Sequence, residues 1–176
     1  MNNQLTDEES KAGWHLLFDG NTTDGWHLYN RGKVPSAWVF IDVMEDSAIR
    51  TAWASGPEYQ LLDGLHPDNT SPTKRSGCFF GLFPQLNHVD PKPAGEWNQS
   101  RIVQNDGKVQ FYLNGVLTAD QDFNSRAWLD SVSNSHFKTF PEFGKHTKGR
   151  IGLQDWSKGV SFRNVKIREM PAAAAK

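Results

Sequence analysis

The chain contains a single cysteine, Cys78, among its 176 residues. One thiol forms no internal disulfide and cannot supply a metal site made of several cysteines. The apolar run that surrounds it, from Gly77 to Phe83, is typical of a buried strand. We therefore predict a strand here and expect Cys78 to be a small core residue.

Neither sign of charge dominates, because 19 Lys and Arg stand against 20 Asp and Glu, and no long basic run is present. Nucleic acid is therefore not an expected partner. The sequence also lacks an apolar run long enough to span a membrane, and no signal-peptide core follows Met1. We expect a cytoplasmic protein, or an exported one written without its signal. Internal repeats and glycine-rich phosphate loops are absent too.

Aromatic residues and turn signals are plentiful. Seven Trp and eleven Phe are present, and we expect most of these rings in the core. The pairs Asp106-Gly107 and Asn114-Gly115 lie between apolar alternating segments, which predicts tight antiparallel hairpins. The predicted strands cover residues 14–18, 25–29, 37–43, 57–62, 77–83, 99–105, 108–114, 116–121, 148–155 and 160–168.

These signals predict an all-β protein, a sandwich of two antiparallel sheets in a single domain over residues 13–170. Residues 1–12 form a helical or flexible segment, because Thr6 to Glu9 makes a capping box and Gly13 is a plausible stop. A second short helix is predicted near residues 125–136. The alanine-rich tail, residues 171–176, is expected to be disordered.

Strand periodicity places polar residues on one face of two strands. Glu58 and Gln60 point away from Tyr59 and Leu61, and in the strand over residues 148–155 Gln154 points away from its apolar neighbours. A solvated sheet face accounts for such rows in most antiparallel sheets. A ligand-binding face is the alternative interpretation.

Ordered sequence blocks make the chain resemble the 3-keto-disaccharide hydrolase domain family, formerly a domain of unknown function. The resemblance covers most of residues 13–170 and rests on these blocks: Leu17-Phe18-Asp19-Gly20 with Gly25-Trp26, Gly56-Pro57-Glu58-Tyr59-Gln60, His66-Pro67-Asp68, Arg75-Ser76-Gly77, Gly95-Glu96-Trp97-Asn98, Leu113-Asn114-Gly115, Gly149 to Asp155 and Phe162 to Glu169. The family's fold is a concanavalin A-like jelly-roll sandwich, which the resemblance implies for this chain.

Two features depart from the family pattern. Ser36-Ala37-Trp38 runs directly into Val39 and the strand after it, as if the strands that usually lie between had been deleted after Trp38. In addition, Gln154-Asp155 is followed by Trp156-Ser157, where the family has His-Gly. Any role of that imidazole is therefore absent or replaced.

The resemblance implies chemistry on glycosides that carry a ketone at the 3-position of the sugar. A base removes the acidified C2 proton, the glycosidic oxygen leaves C1 by elimination, and water then adds. The catalytic candidates are Glu58, Asp63 and His66, with Glu58 or His66 as the base. The candidates for substrate binding are Gln60, Arg75, Trp97, Gln154 and Asp155. Trp53 and Trp156 are further rings that can stack on a sugar face.

No cofactor is certain, and a divalent metal ion is one possibility, with Glu58, Asp63, Asp68 and Asp155 as oxygen ligands. The bland alternatives are turn roles for Asp63 and Asp68, a loop role for His66 and a surface charge for Arg75. The expected partner is a carbohydrate or glycoside ligand. A non-catalytic carbohydrate-binding module remains the alternative function, because lectins share this sandwich. The resemblance implies a periplasmic or extracellular location, and the sequence leaves the oligomeric state open.

Overall fold

The computed structural model describes residues 2–26, 39–154 and 160–170. Within these ranges the chain forms two α-helices, α1 (Asp7–Lys11) and α2 (Arg126–Ser133), and several short 3₁₀ turns. The strands described are β1 (Trp14–Leu16), β2 (Val39–Val43), β3 (Glu58–Tyr59), β4 (Ser100–Asn105), β5 (Lys108–Leu113), β6 (Val116–Asp122), β7 (Arg150–Gly152) and β8 (Lys166–Arg168).

The longest strands form a three-stranded meander in the order β4-β5-β6. Asp106 and Gly107 join β4 to β5 with positive φ angles of 49° and 80°, and Asn114 and Gly115 join β5 to β6 with 50° and 85°. Two consecutive positive φ angles are what tight hairpin turns need, and Asn, Asp and Gly supply them most readily. The hairpins predicted from the sequence are confirmed.

The remaining strands form two smaller antiparallel sheets, in the orders β3-β2-β7 and β1-β8. In the first, Phe40 of β2 lies opposite Glu58 of β3 on one side and opposite Gly152 of β7 on the other. Several of these strands are shorter than predicted. The last begins at Lys166 rather than 160, and Asn164, with a φ of +55°, interrupts the extended backbone before it.

The strand predicted over residues 77–83 is wrong. Gly77 and Gly81 have φ angles of +78° and +70°, so the segment folds into turns that the Leu82 and Phe83 amides close by donating to the Phe79 carbonyl. Only isolated bridges, from Phe79 to Tyr59 and to Phe83, retain strand geometry there. The expected environment of Cys78 is nevertheless confirmed, because its side chain is buried.

An aromatic core lies between β3 and the β4-β5-β6 sheet. The ring of Phe111 on β5 lies 4.9 Å from Tyr59 and 4.1 Å from Phe79, measured between centroids. Trp128 of α2 stacks on Phe123 at 4.3 Å and is fully buried. Burial of large rings is the main contribution to stability in such a core. Antiparallel sheets around this core, with few short helices, agree with a β-sandwich.

Both helices begin where the sequence predicts. At α1, the Thr6 hydroxyl accepts from the Glu9 amide and the Glu9 carboxylate accepts from the Thr6 amide, which completes the capping box. The Glu9 carboxylate also pairs with Lys166 of β8, so α1 is fastened to the last strand. At α2, the Ser125 hydroxyl accepts from the Trp128 amide.

Some sequence predictions fall outside the described residues. They concern the strand over 25–29 beyond Trp26, the apparent deletion after Trp38, the candidates Asp155 and Trp156, and the tail over 171–176. Across the part of the chain that the structure does describe, no helix has the length and apolar character to cross a membrane.

Candidate active site

Glu58 is a buried carboxyl group without a hydrogen-bond partner on one of its oxygens. It opens β3, its side chain is only 6% exposed, and Oε1 has no partner. Burial removes water from the charged form, which raises the pKa of Glu58 to about 8. A carboxyl group in this state is mostly protonated at neutral pH, and its ionised form is a stronger base than an ordinary carboxylate.

Tyr59 enters the aromatic core. Glu58 and Gln60 are buried as well, so the solvated sheet face that the sequence favoured for this polar row is wrong. Backbone hydrogen bonds join the segment to residues 77–80, from the Gly77 amide to the Gln60 carbonyl at 2.8 Å and from the Phe80 amide to the Glu58 carbonyl at 3.2 Å. Gln60 is buried, and its Oε1 accepts from the Leu61 amide at 3.1 Å. Its position is therefore fixed by the protein.

Gly77 brings the Glu58 segment against the large sheet. Besides its positive φ, a Cβ atom at this position would lie 2.9 Å from Oγ1 of Thr118 and 3.3 Å from Cβ of Leu113. Contacts this short are not tolerated in packed proteins. A glycine at this position is therefore required by both the backbone angle and the close approach.

The exposed loop that follows holds the other two catalytic candidates, Asp63 and His66. Oδ1 of Asp63 accepts from the Leu65 amide at 3.0 Å, which is the turn role considered from the sequence. Nδ1 of His66 accepts from the Asp68 amide at 3.1 Å. The neutral imidazole therefore carries its proton on Nε2. The structure shows no hydrogen bond from the Glu58 carboxyl oxygen Oε1 to either residue.

Arg75 is half-buried, and its guanidinium contacts two other residues of the protein. Its Nε donates to the Asn69 carbonyl at 3.1 Å, and Nη1 lies 3.3 Å from Nδ1 of His88. The same His88 nitrogen lies 2.9 Å from Oε1 of Gln85. Arg75 therefore joins the loop after β3 to the loop over residues 84–93.

Two residues that sequence reasoning did not select hold these loops in place. The buried Ser76 hydroxyl accepts from the Leu62 amide at 2.8 Å and donates to the Leu62 carbonyl at 3.0 Å. Gln85 donates through Nε2 to the carbonyls of Ser76 and Val89, both at 2.8 Å. Ser76 belongs to the Arg75-Ser76-Gly77 block of the family resemblance, but no sequence pattern indicated its partner.

The remaining binding candidates lie elsewhere in the described structure. Trp97 is 43% exposed, and the Arg163 guanidinium covers one face of its ring at 4.0 Å. Gln154 is half-buried and lies just after β7. In the sheet, β7 pairs with one side of β2, and β3, which carries Glu58, pairs with the other side. Trp53 packs edge-on against Phe140 at 4.9 Å. Asp155 lies outside the described residues.

The described ranges contain no preformed metal site. Among residues 2–26, 39–154 and 160–170, no group of three His, Cys, Asp or Glu side chains converges on a common point. Asp68, one of the candidate ligands, instead pairs with Lys74 at 2.9 Å. The fourth candidate ligand, Asp155, lies outside the described residues.

Known proteins with similar sequence and structure agree on a sugar-acting group. The chain is 27% identical over 137 residues to a 3-keto-disaccharide hydrolase of Bacteroides thetaiotaomicron, covering 70% of this chain and 47% of that protein. It therefore spans about half the length of this curated relative.

A crystal structure from Parabacteroides distasonis ATCC 8503, provisionally assigned as a glycosyl hydrolase, matches with a TM-score of 0.89 and 25% identity, over 97% of this chain and all of that one. The fold is thus like that of this crystal structure, and its antiparallel sheets are consistent with a β-sandwich. Residues 44–168, which include Glu58 and all of the loops described above, match the 3-keto-alpha-glucoside-1,2-lyase-like domain. The chain belongs to this domain family.

Proposed function

We propose that the protein cleaves glycosides whose sugar carries a ketone at C3, with Glu58 as the base that removes the C2 proton. The observation that carries the proposal is the buried carboxyl group of Glu58, whose Oε1 has no hydrogen-bond partner and whose pKa burial raises to about 8. Perturbed carboxyl groups of this kind are concentrated at functional sites. The name of the Bacteroides relative, a 3-keto-disaccharide hydrolase, supports the same substrate class.

The reaction follows from the acidity of a proton beside a ketone. Glu58 takes the proton from C2, and the electron pair forms an enolate onto the C3 oxygen. The enolate then expels the oxygen bonded to C1, which takes up a proton and departs as an alcohol. Water adds to C1 of the resulting enone and completes net hydrolysis. A base whose pKa is close to the working pH is the most effective for such a transfer.

The other candidates supply what the base does not. His66, with its proton on Nε2, is the donor proposed for the departing oxygen, because the Asp68 amide fixes this tautomer. Arg75 and Gln154 are proposed to bind sugar hydroxyls or the enolate oxygen. Gln60 and Asp63, whose side chains bond to neighbouring amides, are proposed to shape the site. Trp97 offers one ring face for stacking, and Asp155 remains a proposed contact.

A divalent metal ion remains a possible electrophile for the enolate oxygen. Glu58, Asp63 and Asp155 carry the hard oxygen donors that such an ion prefers. A bound ion would stabilise the negative charge that develops on the ketone oxygen.

The finer architecture that we propose is the concanavalin A-like jelly roll, and the proposed location is the periplasm or the cell exterior.

A carbohydrate-binding module without activity is the second candidate function. Two observations favour it: Trp97 is exposed, and Trp156-Ser157 stands where the family has His-Gly after Gln154-Asp155. Exposed aromatic rings beside polar groups are common in sugar recognition. On this account Glu58 would be a structural carboxylic acid.

The deciding assay incubates the protein with a 3-keto-glucoside, with and without a chelator, and compares Glu58→Gln. We expect turnover by the wild type and a loss of about 10²- to 10⁴-fold in the variant, the range for one general base. Glutamine keeps the size of the side chain, so the variant should remain folded. Binding without turnover in every condition would favour the module, and unchanged turnover in Glu58→Gln would exclude Glu58 as the base.

A further inference from the structure

We propose that the outer face of the β4-β5-β6 sheet is a second carbohydrate-binding surface, which holds a neutral oligosaccharide chain. This inference does not depend on the proposed reaction, because it concerns different residues. Alternation along β5 places Val109, Phe111 and Leu113 in the core. Lys108, Gln110 and Tyr112 therefore lie on the outer face.

Side chains on this outer face are already ordered by one another. Nε2 of Gln110 donates to Oδ2 of Asp120 at 3.0 Å, and the Tyr112 hydroxyl donates to Oε1 of Gln110 at 3.0 Å. The Arg101 guanidinium lies over the Tyr112 ring at 3.8 Å. A ligand that binds here meets polar groups whose rotamers are fixed, which reduces the entropy cost of binding.

The face carries a groove, which we call the trough. The trough, of about 650 Å³, is lined by Asn105, Lys108, Gln110, Asp120, Gln121 and Asp122, among others. A separate groove of about 290 Å³ lies at the β6 edge, beside Phe83, Pro84 and the buried Ala119. The larger volume falls within the range of about 300 to 1,000 Å³ that is usual for ligand sites. The larger groove crosses all three strands, from Val103 on β4 to Asp120 on β6, which suits a chain-like ligand.

The chemistry of the trough favours hydroxyl groups over ions. Amide side chains alternate with carboxylates, and Lys108 offsets part of the negative charge of Asp120 and Asp122. A sugar hydroxyl both donates and accepts, so it can use each of these groups. Val103 and Met170 add apolar surface to the larger groove, where the C–H face of a sugar ring can pack.

The trough and Glu58 lie on opposite sides of the aromatic core. The Tyr59 ring contacts Phe111 inside the core, and its hydroxyl donates to the Tyr112 carbonyl at 3.0 Å. Glu58 points away from Tyr59 on β3, and Gln110 points away from Phe111 on β5. A ligand in the trough therefore does not compete with a substrate at Glu58.

The test is a titration of ¹⁵N-labelled protein with two unoxidised neutral tetrasaccharides, cellotetraose and maltotetraose. We expect amide shifts in β4, β5 and β6 near the trough with at least one of them. Asp120→Ala and Gln110→Ala should each weaken binding about tenfold, the loss of one good hydrogen bond. Asp24→Ala, which removes an exposed aspartate outside the trough, is the matched control and should bind like the wild type.

The proposal is overturned if neither tetrasaccharide shifts the trough amides, if the shifts centre on Glu58, or if Asp120→Ala and Gln110→Ala both retain wild-type affinity. Amide spectra of the free variants establish that they are folded. Glu58→Gln separates the two proposals, because it should abolish turnover of a 3-keto-glucoside while the tetrasaccharide shifts in the trough persist.

Discussion

In the β4-β5-β6 sheet, β4 and β5 pair without interruption from Ser100 opposite Leu113 to Asn105 opposite Lys108. By contrast, β3 has only two residues, and its hydrogen bonds continue into the turn-rich segment over 77–80. The first region satisfies its polar backbone and buries its apolar face. The second buries a carboxyl oxygen without a partner. This difference indicates that the large sheet supplies stability, while the β3 region holds a buried polar group that is unfavourable to folding.

The largest expected effect is on the stability of the core, and it can be measured by comparing a buried tryptophan with an exposed one. Trp128→Ala removes a buried ring that stacks on Phe123 and whose Nε1 donates to the Gly144 carbonyl at 2.9 Å. We expect a loss of about 3–5 kcal/mol in the free energy of unfolding. Trp97→Ala, which removes an exposed ring, should cost about 1 kcal/mol or less. Urea denaturation of both variants measures the contrast, and equal losses would contradict it.

The next effect concerns the dependence of stability on pH. The folded protein keeps Glu58 protonated up to about pH 8, whereas the unfolded chain ionises it near 4.5. Unfolding between these values releases a proton, so the contribution of Glu58 to stability is complete below about pH 4.5 and is lost by about pH 8.

Glu58→Gln should remove this slope, and the difference between the two proteins should reach a few kcal/mol across the interval. Denaturation series at several pH values measure it. The nearby Cys78 does not interfere, because burial raises the pKa of its thiol and keeps it neutral in this range. Parallel curves for the two proteins would show that the Glu58 pKa is not raised.

A smaller effect concerns the contact between the two regions. Gly77→Ala forces a Cβ atom into Thr118 at a φ of +78°, whereas Gly115→Ala meets open space at a φ of +85°. Both variants strain the backbone by about 1–2 kcal/mol. Gly77→Ala should therefore be the more destabilising of the two in thermal unfolding. A Gly115→Ala variant that is equally or more destabilised would show that the close approach at Gly77 is not tight.

The same contrast explains how far the sequence predicts the structure. Asp106-Gly107 and Asn114-Gly115 fix hairpins through local backbone angles, and Thr6 and Ser125 cap helices through neighbouring amides, so these elements follow from short segments. The alternation of Glu58 and Tyr59 separates the carboxyl group from the Tyr59 ring, but it favoured a solvated face, and the structure buries Glu58.

The elements that the sequence did not predict depend on partners distant in the chain. The apolar run over 77–83 has the composition of a buried strand, yet Gly77 and Gly81 turn it, and periodicity does not separate these cases. The burial of Glu58, the attachment of Leu62 by Ser76 and the contact of Arg75 with His88 all join separate segments. For the candidate site, the residues could be proposed from the sequence, but their burial and hydrogen-bond partners follow only from the tertiary structure.

The rate of 3-keto-glucoside cleavage as a function of pH tests the central role of Glu58 most directly. If Glu58 is the base, kcat/KM should rise with pH and level off above an apparent pKa of about 8, because only about one tenth of the carboxyl group is ionised at pH 7. Glu58→Gln should lack this rise. A wild-type profile that is flat from pH 6 to 9, or a rise that persists in Glu58→Gln with full activity, would contradict the account.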